Sequence, residues 1–163
     1  MTSITQPLRD EHKELYPHIE SLRTAGDVVS EELTPTAYAS VDEAYNFLTH
    51  HLIPHALAED KALYPVVQKV MGAVKATATM SRDHVEVGRL TEELGSLRIQ
   101  TAPGTINPDQ VRSLRRVLYG LFTLVKVHFA KEEEIYLPLL DANLSVDEAK
   151  AMFEAMEAAA HEA

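Results

Sequence analysis

Apolar residues recur at intervals of three and four along almost the whole chain, and no segment shows the sustained alternation of a strand. This periodicity predicts five helices, each with start or stop signals typical of helix ends. Their expected ranges are about 5–30, 34–71, 74–100, 107–141 and 145–161. The clearest loop is the sequence TAPGTINP, which separates the third helix from the fourth.

Prolines and polar residues predict how these helices bend and begin. Pro17 is expected to kink the first helix. Pro54 and Pro65 remove backbone donors from the second helix and are expected to bend it. Ser145, followed three residues later by Glu148, predicts a capping box at the start of the last helix.

Four long helices with short connections predict an all-α fold, an up-down-up-down four-helix bundle whose inward side chains meet at its centre. The bundle is expected over about 5–141, with a short C-terminal helix packed against it through an apolar stripe. The stripe comprises Ala149, Met152, Phe153 and Met156. All 163 residues fit one domain of this architecture.

Composition narrows the function classes. The net charge of −10 is spread over every segment, which disfavours binding to nucleic acid or to anionic membranes. The chain has no cysteine, so disulfides, thiolate nucleophiles and iron–sulfur clusters are excluded, and imidazole and carboxylate remain as strong metal ligands. Because the N-terminus is unlike a signal peptide and no apolar run reaches about 18 residues, a cytoplasmic location without a membrane span is expected.

The chain carries one histidine–glutamate pattern twice. Two HxxxE motifs lie 73 residues apart, and a single histidine precedes them by 43 and 44 residues. Histidine and glutamate four positions apart share a helix face, about 6 Å apart along the axis. The six residues are His12, His55, Glu59, His84, His128 and Glu132. In a bundle, this doubled pattern predicts a duplicated metal site in which two metals share four histidines and two glutamates.

The motif segments resemble a known family, the hemerythrins and the hemerythrin-like HHE cation-binding domains. PHALAEDKALYP and HFAKEEEIYLP are similar to that family's HxxxE helices, and LRDEHKEL and SRDHVEV to its single-histidine helices. The resemblance covers nearly the whole chain and implies a centre of two non-haem iron ions with an oxo or hydroxo bridge. The implied ligands are His12 and His55 for one iron, His84 and His128 for the other, and Glu59 and Glu132 as bridging carboxylates.

One position departs from the oxygen-carrying hemerythrins. Those proteins place a further histidine one turn before the third-helix ligand, where this chain has Met80. Tyr136, four residues after Glu132, is therefore a candidate for an additional ligand or a proton relay. The alternative is that it packs in the core with its hydroxyl hydrogen-bonded. Tyr16, one turn after His12, is the second candidate.

Other ionisable residues are expected outside the ligand set. His51 lies one turn before the first motif histidine, and Asp60 and Glu133 directly follow the motif glutamates. His51 is expected to contact the ligands from outside, and Asp60 and Glu133 are expected either to do the same or to face solvent. No site role is expected for His18, His50 and His161.

The resemblance also implies a chemistry. A dinuclear iron site with open coordination binds small molecules such as dioxygen, hydrogen peroxide or nitric oxide. The chain has no glycine-rich phosphate loop, nucleophile elbow or dinucleotide fingerprint, so a large organic substrate has little support. The missing histidine at Met80 weakens reversible oxygen carriage. The resemblance to bacterial hemerythrin-like proteins with the same motif order implies catalase-like, peroxidase or nitric-oxide-oxidising activity in oxidative and nitrosative stress defence instead. The alternative is a non-catalytic sensor or storage protein for oxygen, nitric oxide or iron, with an unknown protein partner.

Overall fold

The computed structural model describes residues 2–163 and consists almost entirely of helices. The α-helices are α1 (Gln6–Val28), α2 (Pro35–Phe47), α3 (Ile53–Ala58), α4 (Tyr64–Met71), α5 (Ala78–Gln100), α6 (Pro108–Lys131), α7 (Leu137–Asn143) and α8 (Val146–His161). Three π-helical segments join some of them without a break: Leu48–Leu52, Glu59–Leu63 and Glu132–Tyr136. As a result, residues 35–71 form one long second helix and residues 108–143 one long fourth helix.

The four long helices form a closed ring of neighbours. α1 packs on α2 and on α6, while α5 packs on the same two helices from the other side. Contacts at both ends show that α1 and the fourth helix run in opposite directions: the Tyr119 hydroxyl donates to Asp27 at 2.6 Å, and His12 contacts Glu133 at the other end. The predicted all-α four-helix bundle is therefore confirmed.

The core is divided into two apolar clusters. One contains α1, α2, α5 and α6 side chains such as Leu22, Leu94 and Leu118, all fully buried. The other is built around Leu63 and Leu140 and is covered by α8, which packs on α3 and on the second π-helical segment. The buried polar residues of the chain's doubled motif lie between these clusters.

The ends of the helices follow local sequence signals. The predicted capping box between Ser145 and Glu148 is confirmed. α5 begins at Ala78, four residues later than predicted, because residues 74–77 form turns. A two-residue antiparallel ladder, Glu32–Leu33 against Gly104–Thr105, joins the two loops at one end of the bundle. Strands this short leave no alternating pattern in a sequence.

Each of the three π-helical segments ends two residues before a proline. A proline lacks an N–H and crowds the turn before it, and a turn widened by one residue relieves that crowding. In each segment the residue before the proline donates its N–H to the carbonyl five positions back. These bonds run from Ile53 to Leu48, Tyr64 to Glu59 and Leu137 to Glu132. α1, in contrast, continues through Pro17 as an α-helix.

Among the helices of residues 2–163, none combines the length and the apolar surface that a bilayer crossing requires.

Candidate metal centre

The six motif residues meet in the middle of the bundle. His12 comes from α1, His84 from α5, and the two HxxxE pairs from the second and fourth long helices. His12 and both glutamates have no solvent exposure, and the other histidine side chains are 3–9% exposed. Burying this many ionisable groups in one place is costly unless they are paired or bind a cation.

Two groups of three ligand atoms can each hold a metal ion. Within each group, all donor atoms lie within 4.8 Å of one another. The groups are His12 with His55 and Glu59, and His84 with His128 and Glu59. Glu59 therefore belongs to both, and its Oε2 lies 3.4 Å from His84 Nε2 and 3.5 Å from His128 Nε2.

Glu132 also lies between the two groups. Its Oε1 is 3.7 Å from His12 Nε2 and 3.4 Å from His128 Nε2. Each glutamate thus faces a histidine of both halves, which is the geometry expected of a carboxylate shared by two ions.

Four buried ligand atoms have no hydrogen-bond partner within residues 2–163. They are Nε2 of His12, Nε2 of His55, Oε1 of Glu59 and Oε1 of Glu132. Leaving one buried polar atom unpaired costs about 1–3 kcal/mol. His55 Nε2 and Glu59 Oε1 are even in close contact without hydrogen-bond geometry. Nitrogen and oxygen donors without partners fit a bound divalent or trivalent cation.

Each of the four histidines is held from outside by a carboxylate. The Nδ1 atoms contact Glu133 (from His12, 2.9 Å), Glu11 (from His55, 2.8 Å), Asp60 (from His84, 2.8 Å) and Asp83 (from His128, 2.9 Å). A carboxylate accepts only from a protonated nitrogen, so the Nδ1–H donates outward and Nε2 is the nitrogen available to a metal. Such outer carboxylates orient metal-binding histidines and raise their basicity.

The outer carboxylates repeat the symmetry of the motif. Asp60 and Glu133, each directly after a motif glutamate, bind the single histidines. Glu11 and Asp83, each directly before a single histidine, bind the motif histidines. From the sequence, the role of Asp60 and Glu133 stayed open, and the role of Glu11 and Asp83 was missed. The feature that could have indicated Glu11 and Asp83 is the acidic residue directly before the histidine in both RDEH and RDH.

The centre carries an excess of negative charge. Although burial lowers the pKa of His55, the charge of Glu59 and the bond to Glu11 raise it to about 10. For His84, hydrogen bonds to Asp60 and Glu59 likewise outweigh burial and raise the pKa to about 9. Burial, together with the charge of Glu59, also raises the pKa of Glu132 well above its usual value. Without a metal, protons therefore supply the positive charge that the site requires.

A tyrosine that sequence reasoning missed reaches the centre. The Tyr64 hydroxyl donates to Glu59 Oε2 at 2.8 Å and lies 3.1 Å from His128 Nε2 and 3.4 Å from His84 Nε2. It also lies 3.3 Å from Glu132 Oε2. Burial, followed by the two glutamate charges, raises the pKa of Tyr64, so its phenol stays protonated until a cation is near.

The two predicted tyrosines lie elsewhere. The Tyr136 hydroxyl donates to the Ala76 carbonyl at 2.9 Å, as in the alternative of a hydrogen-bonded core residue. Tyr16 is 37% exposed, and its ring packs edge-on against the Phe129 ring, which in turn stacks on the His12 ring. In the geometry of residues 2–163, neither hydroxyl stands among the ligand atoms, and Tyr64 takes the place expected for Tyr136.

The π-helical segments explain this difference. In a regular helix the residue four positions after the glutamate returns to the ligand face, and this rule selected Tyr136. The widened turn returns the fifth residue instead, which is Tyr64 in one half and Leu137 in the other. Met80 is fully buried in the same apolar cluster as Tyr64. The sequence feature associated with the widened turn is the proline that follows Tyr64.

The four remaining histidines are exposed. His18 stacks on Phe47 at 5.1 Å between ring centres, and His51 lies beside the same ring at 6.4 Å. His51 therefore lies apart from the position expected beside the ligands.

A small cavity adjoins the centre on the side opposite the apolar cluster that α8 covers. Its volume is about 10 Å³, which is room for one water-sized molecule. Apolar side chains and four of the motif residues line it. The apolar residues are Leu52, Ala56, Val87, Val125 and Phe129. A larger substrate has no room there.

A helical bundle with histidines and glutamates from four helices converging on its centre defines a class of metal-binding protein. The chain matches the family model described as "Hemerythrin HHE cation binding domain" over residues 3–140, and it belongs to that family. The resemblance seen in the motifs is thereby confirmed. The chain has no significant match among curated proteins or solved structures.

Proposed function

We propose that this protein binds two non-haem iron ions and reacts with hydrogen peroxide and nitric oxide. The observation that carries the proposal is the pair of donor groups sharing Glu59, with a phenol hydroxyl within 3.4 Å of donor atoms from both His84 and His128. One iron would be held by His12 and His55 and the other by His84 and His128. Glu59 and Glu132 would bridge them, together with an oxo or hydroxo group.

Iron suits this donor set better than zinc or manganese does. Imidazole nitrogen and carboxylate oxygen bind iron, zinc and manganese, but a phenol oxygen is a hard anionic donor once deprotonated and favours ferric iron. Tyr64 supplies such an oxygen to the half of the site where Met80 replaces a histidine of the oxygen carriers. The chain thereby offers an oxygen donor in place of a nitrogen.

The cavity supports only a very small ligand. At about 10 Å³ it holds one water-sized molecule, and dioxygen, nitric oxide and hydrogen peroxide, with two heavy atoms each, are the ligands nearest to that size. Its apolar wall excludes bulk water, which strengthens electrostatic interactions at the neighbouring ligands.

Paired iron ions, when bound, supply redox steps and open coordination positions for such a ligand. The protein's residues control the protons. In the metal-free site Tyr64 holds its hydroxyl proton toward Glu59 Oε2, and it would give up this proton when its oxygen serves as the phenolate donor to iron. The four outer carboxylates keep the Nδ1 protons in place, so the imidazoles do not compete for that proton. Disproportionation of two peroxides to two waters and dioxygen needs no external electron donor.

The test compares Tyr64→Phe with Tyr136→Phe as the matched control. Both variants are expected to retain two irons per chain. Tyr64→Phe should lose a phenolate band from the visible spectrum and slow peroxide consumption, whereas Tyr136→Phe should leave both unchanged. An unchanged spectrum and an unchanged rate in Tyr64→Phe would contradict the role given to this residue, and absence of iron in the wild type would overturn the whole proposal.

A non-catalytic sensor is the second candidate. It is favoured by the packing of α8 on α3 and on the π-helical segment that begins with Glu59, because this contact can report metal or ligand binding to the surface. Turnover separates the two functions. Many peroxides consumed per centre indicate an enzyme, and a single stoichiometric spectral change indicates a sensor or storage protein.

A further inference from the structure

Phe129 connects the buried centre with the surface. Its ring stacks on the His12 ring at 4.1 Å with an interplanar angle of 20°, and it also lies 5.7 Å from the His55 ring and 6.4 Å from the His128 ring. One aromatic side chain thus contacts three of the four imidazoles that point their Nε2 atoms into the centre.

On its other side, Phe129 meets Tyr16. The Tyr16 ring approaches edge-on at 5.9 Å and 71°, and 37% of the residue is exposed to solvent. The rings therefore form a chain of contacts from the buried His12 through Phe129 to the exposed Tyr16. Each step between ring centres is 6 Å or less.

We propose that Tyr16 is a redox outlet of the centre, which gives up an electron through Phe129 when peroxide has oxidised the metal site. This inference rests on the proposed reaction with peroxide. The balance is two phenols and one hydrogen peroxide giving two phenoxyl radicals and two waters, with each phenol losing one electron inward and one proton to solvent. A small reductant, such as an enediol or a thiol, returns one hydrogen atom to each radical.

The surroundings of Tyr16 suit this role. Burial, followed by the charges of Glu133 and Glu132, raises its pKa, so the phenol keeps its proton until it is oxidised. Its exposed part gives that proton a path to solvent. Tyr64 is closer to the ligands, but it is 1% exposed, so a radical formed there would be closed to reductants in solution.

The consequence is protective. If an oxidising equivalent stays at the centre, it attacks the ligands, whereas a radical at Tyr16 is open to reductants in solution. The outlet also converts a peroxide-disproportionating site into a peroxidase when a reductant is present.

Tyr119 offers a matched control. It is 36% exposed and donates to Asp27, but it lies at the far end of the bundle, beside Gly26. Iron-loaded wild type, Tyr16→Phe, Tyr16→Trp and Tyr119→Phe would be treated with hydrogen peroxide. Iron content and peroxide consumption would be measured on each sample, together with the radical signal by electron paramagnetic resonance and dityrosine-linked dimers mapped by mass spectrometry.

We expect wild type and Tyr119→Phe to give a tyrosyl radical and dimers joined through residue 16. Tyr16→Phe should lose both while keeping its iron, and Tyr16→Trp should restore a radical with the signature of tryptophan. Equal radical and dimer yields in Tyr16→Phe and wild type, with peroxide consumed, would overturn the outlet alone. If the iron-loaded wild type consumes no peroxide, the proposed function fails and the outlet fails with it.

Discussion

Replacing Glu133 with Gln tests whether the outer carboxylates hold the metal ligands in place. In the structure, one Glu133 oxygen contacts His12 Nδ1 at 2.9 Å and the other contacts Arg9 at 2.8 Å. Gln keeps the size of the side chain but removes its charge. His12 and Arg9 both donate hydrogen bonds, and the Gln amide has only one oxygen to accept them, so its NH₂ group faces one of these donors. We therefore expect His12 to be less well oriented and less basic.

The magnitude follows from the two contacts. The ion pair with Arg9 is 23–26% exposed and contributes little, below about 1 kcal/mol. Loss of an outer partner of a metal-binding histidine weakens metal affinity by about 10- to 100-fold. This loss corresponds to ~1.4–2.7 kcal/mol. Because His12 belongs to one donor group, only one of the two ions should be affected.

The assay is a competitive titration of the metal-free protein against a chelator of known affinity. Glu134→Gln is the matched control, since the neighbouring Glu134 is exposed. In Glu133→Gln we expect one ion to bind more weakly and the other to bind with unchanged affinity. Asp83→Asn should lower the affinity for the other ion, because Asp83 contacts His128. Equal titration curves for Glu133→Gln and Glu134→Gln would refute the reasoning.

Three further predictions concern stability. Saturating metal, at about 1,000 times its dissociation constant, should stabilise the fold by ~4 kcal/mol, and thermal unfolding with and without chelator measures this gain. In the metal-free protein, the raised pKa values of His55 (about 10) and His84 (about 9) give a stabilisation that is full below the unfolded value near 6.5 and is lost as the pH rises toward 9–10. Urea unfolding at pH 7 and pH 10 should show this loss only without metal, and equal stability at both pH values would argue against it. Ser145→Ala removes the cap of α8 and should cost ~1 kcal/mol in the same assay, whereas Ser30→Ala, in an exposed loop, should cost less.

The helices and the meeting of the six motif residues could be predicted because both depend on spacing. Apolar periodicity defines helix faces, and a histidine and a glutamate four residues apart share a face whatever the rest of the chain does. Repetition of the pattern at nearly the same interval then brings the two halves to the same level of an antiparallel bundle. The structure places all six side chains there.

The identity of the tyrosine could not be predicted by the same rule. Counting four residues from Glu132 assumes a regular helix, and the widened turn before Pro138 breaks that assumption. The same widening before Pro65 moves Tyr64 to the ligand face. Whether a proline bends a helix or widens a turn depends on packing with neighbouring helices, which a single sequence does not reveal.

The outer carboxylates posed a different problem. Glu11 and Asp83 are acidic residues on polar helix faces, where a sequence of net charge −10 has many others. Only the three-dimensional register between α1 and the second helix, and between α5 and α6, shows that these two carboxylates meet His55 and His128. In both halves the carboxylate lies directly before a single histidine. Other sequences with this motif can be searched for the same pattern.

The most direct test of the account is the metal content of the purified protein by elemental analysis, read together with its visible spectrum. We expect two irons per chain in the wild type and, at most, one tightly held iron when His84 is replaced by Ala, since that change removes a donor from one group only. One iron or none in the wild type, or two in His84→Ala, would contradict a centre of two ions shared between the halves of the bundle.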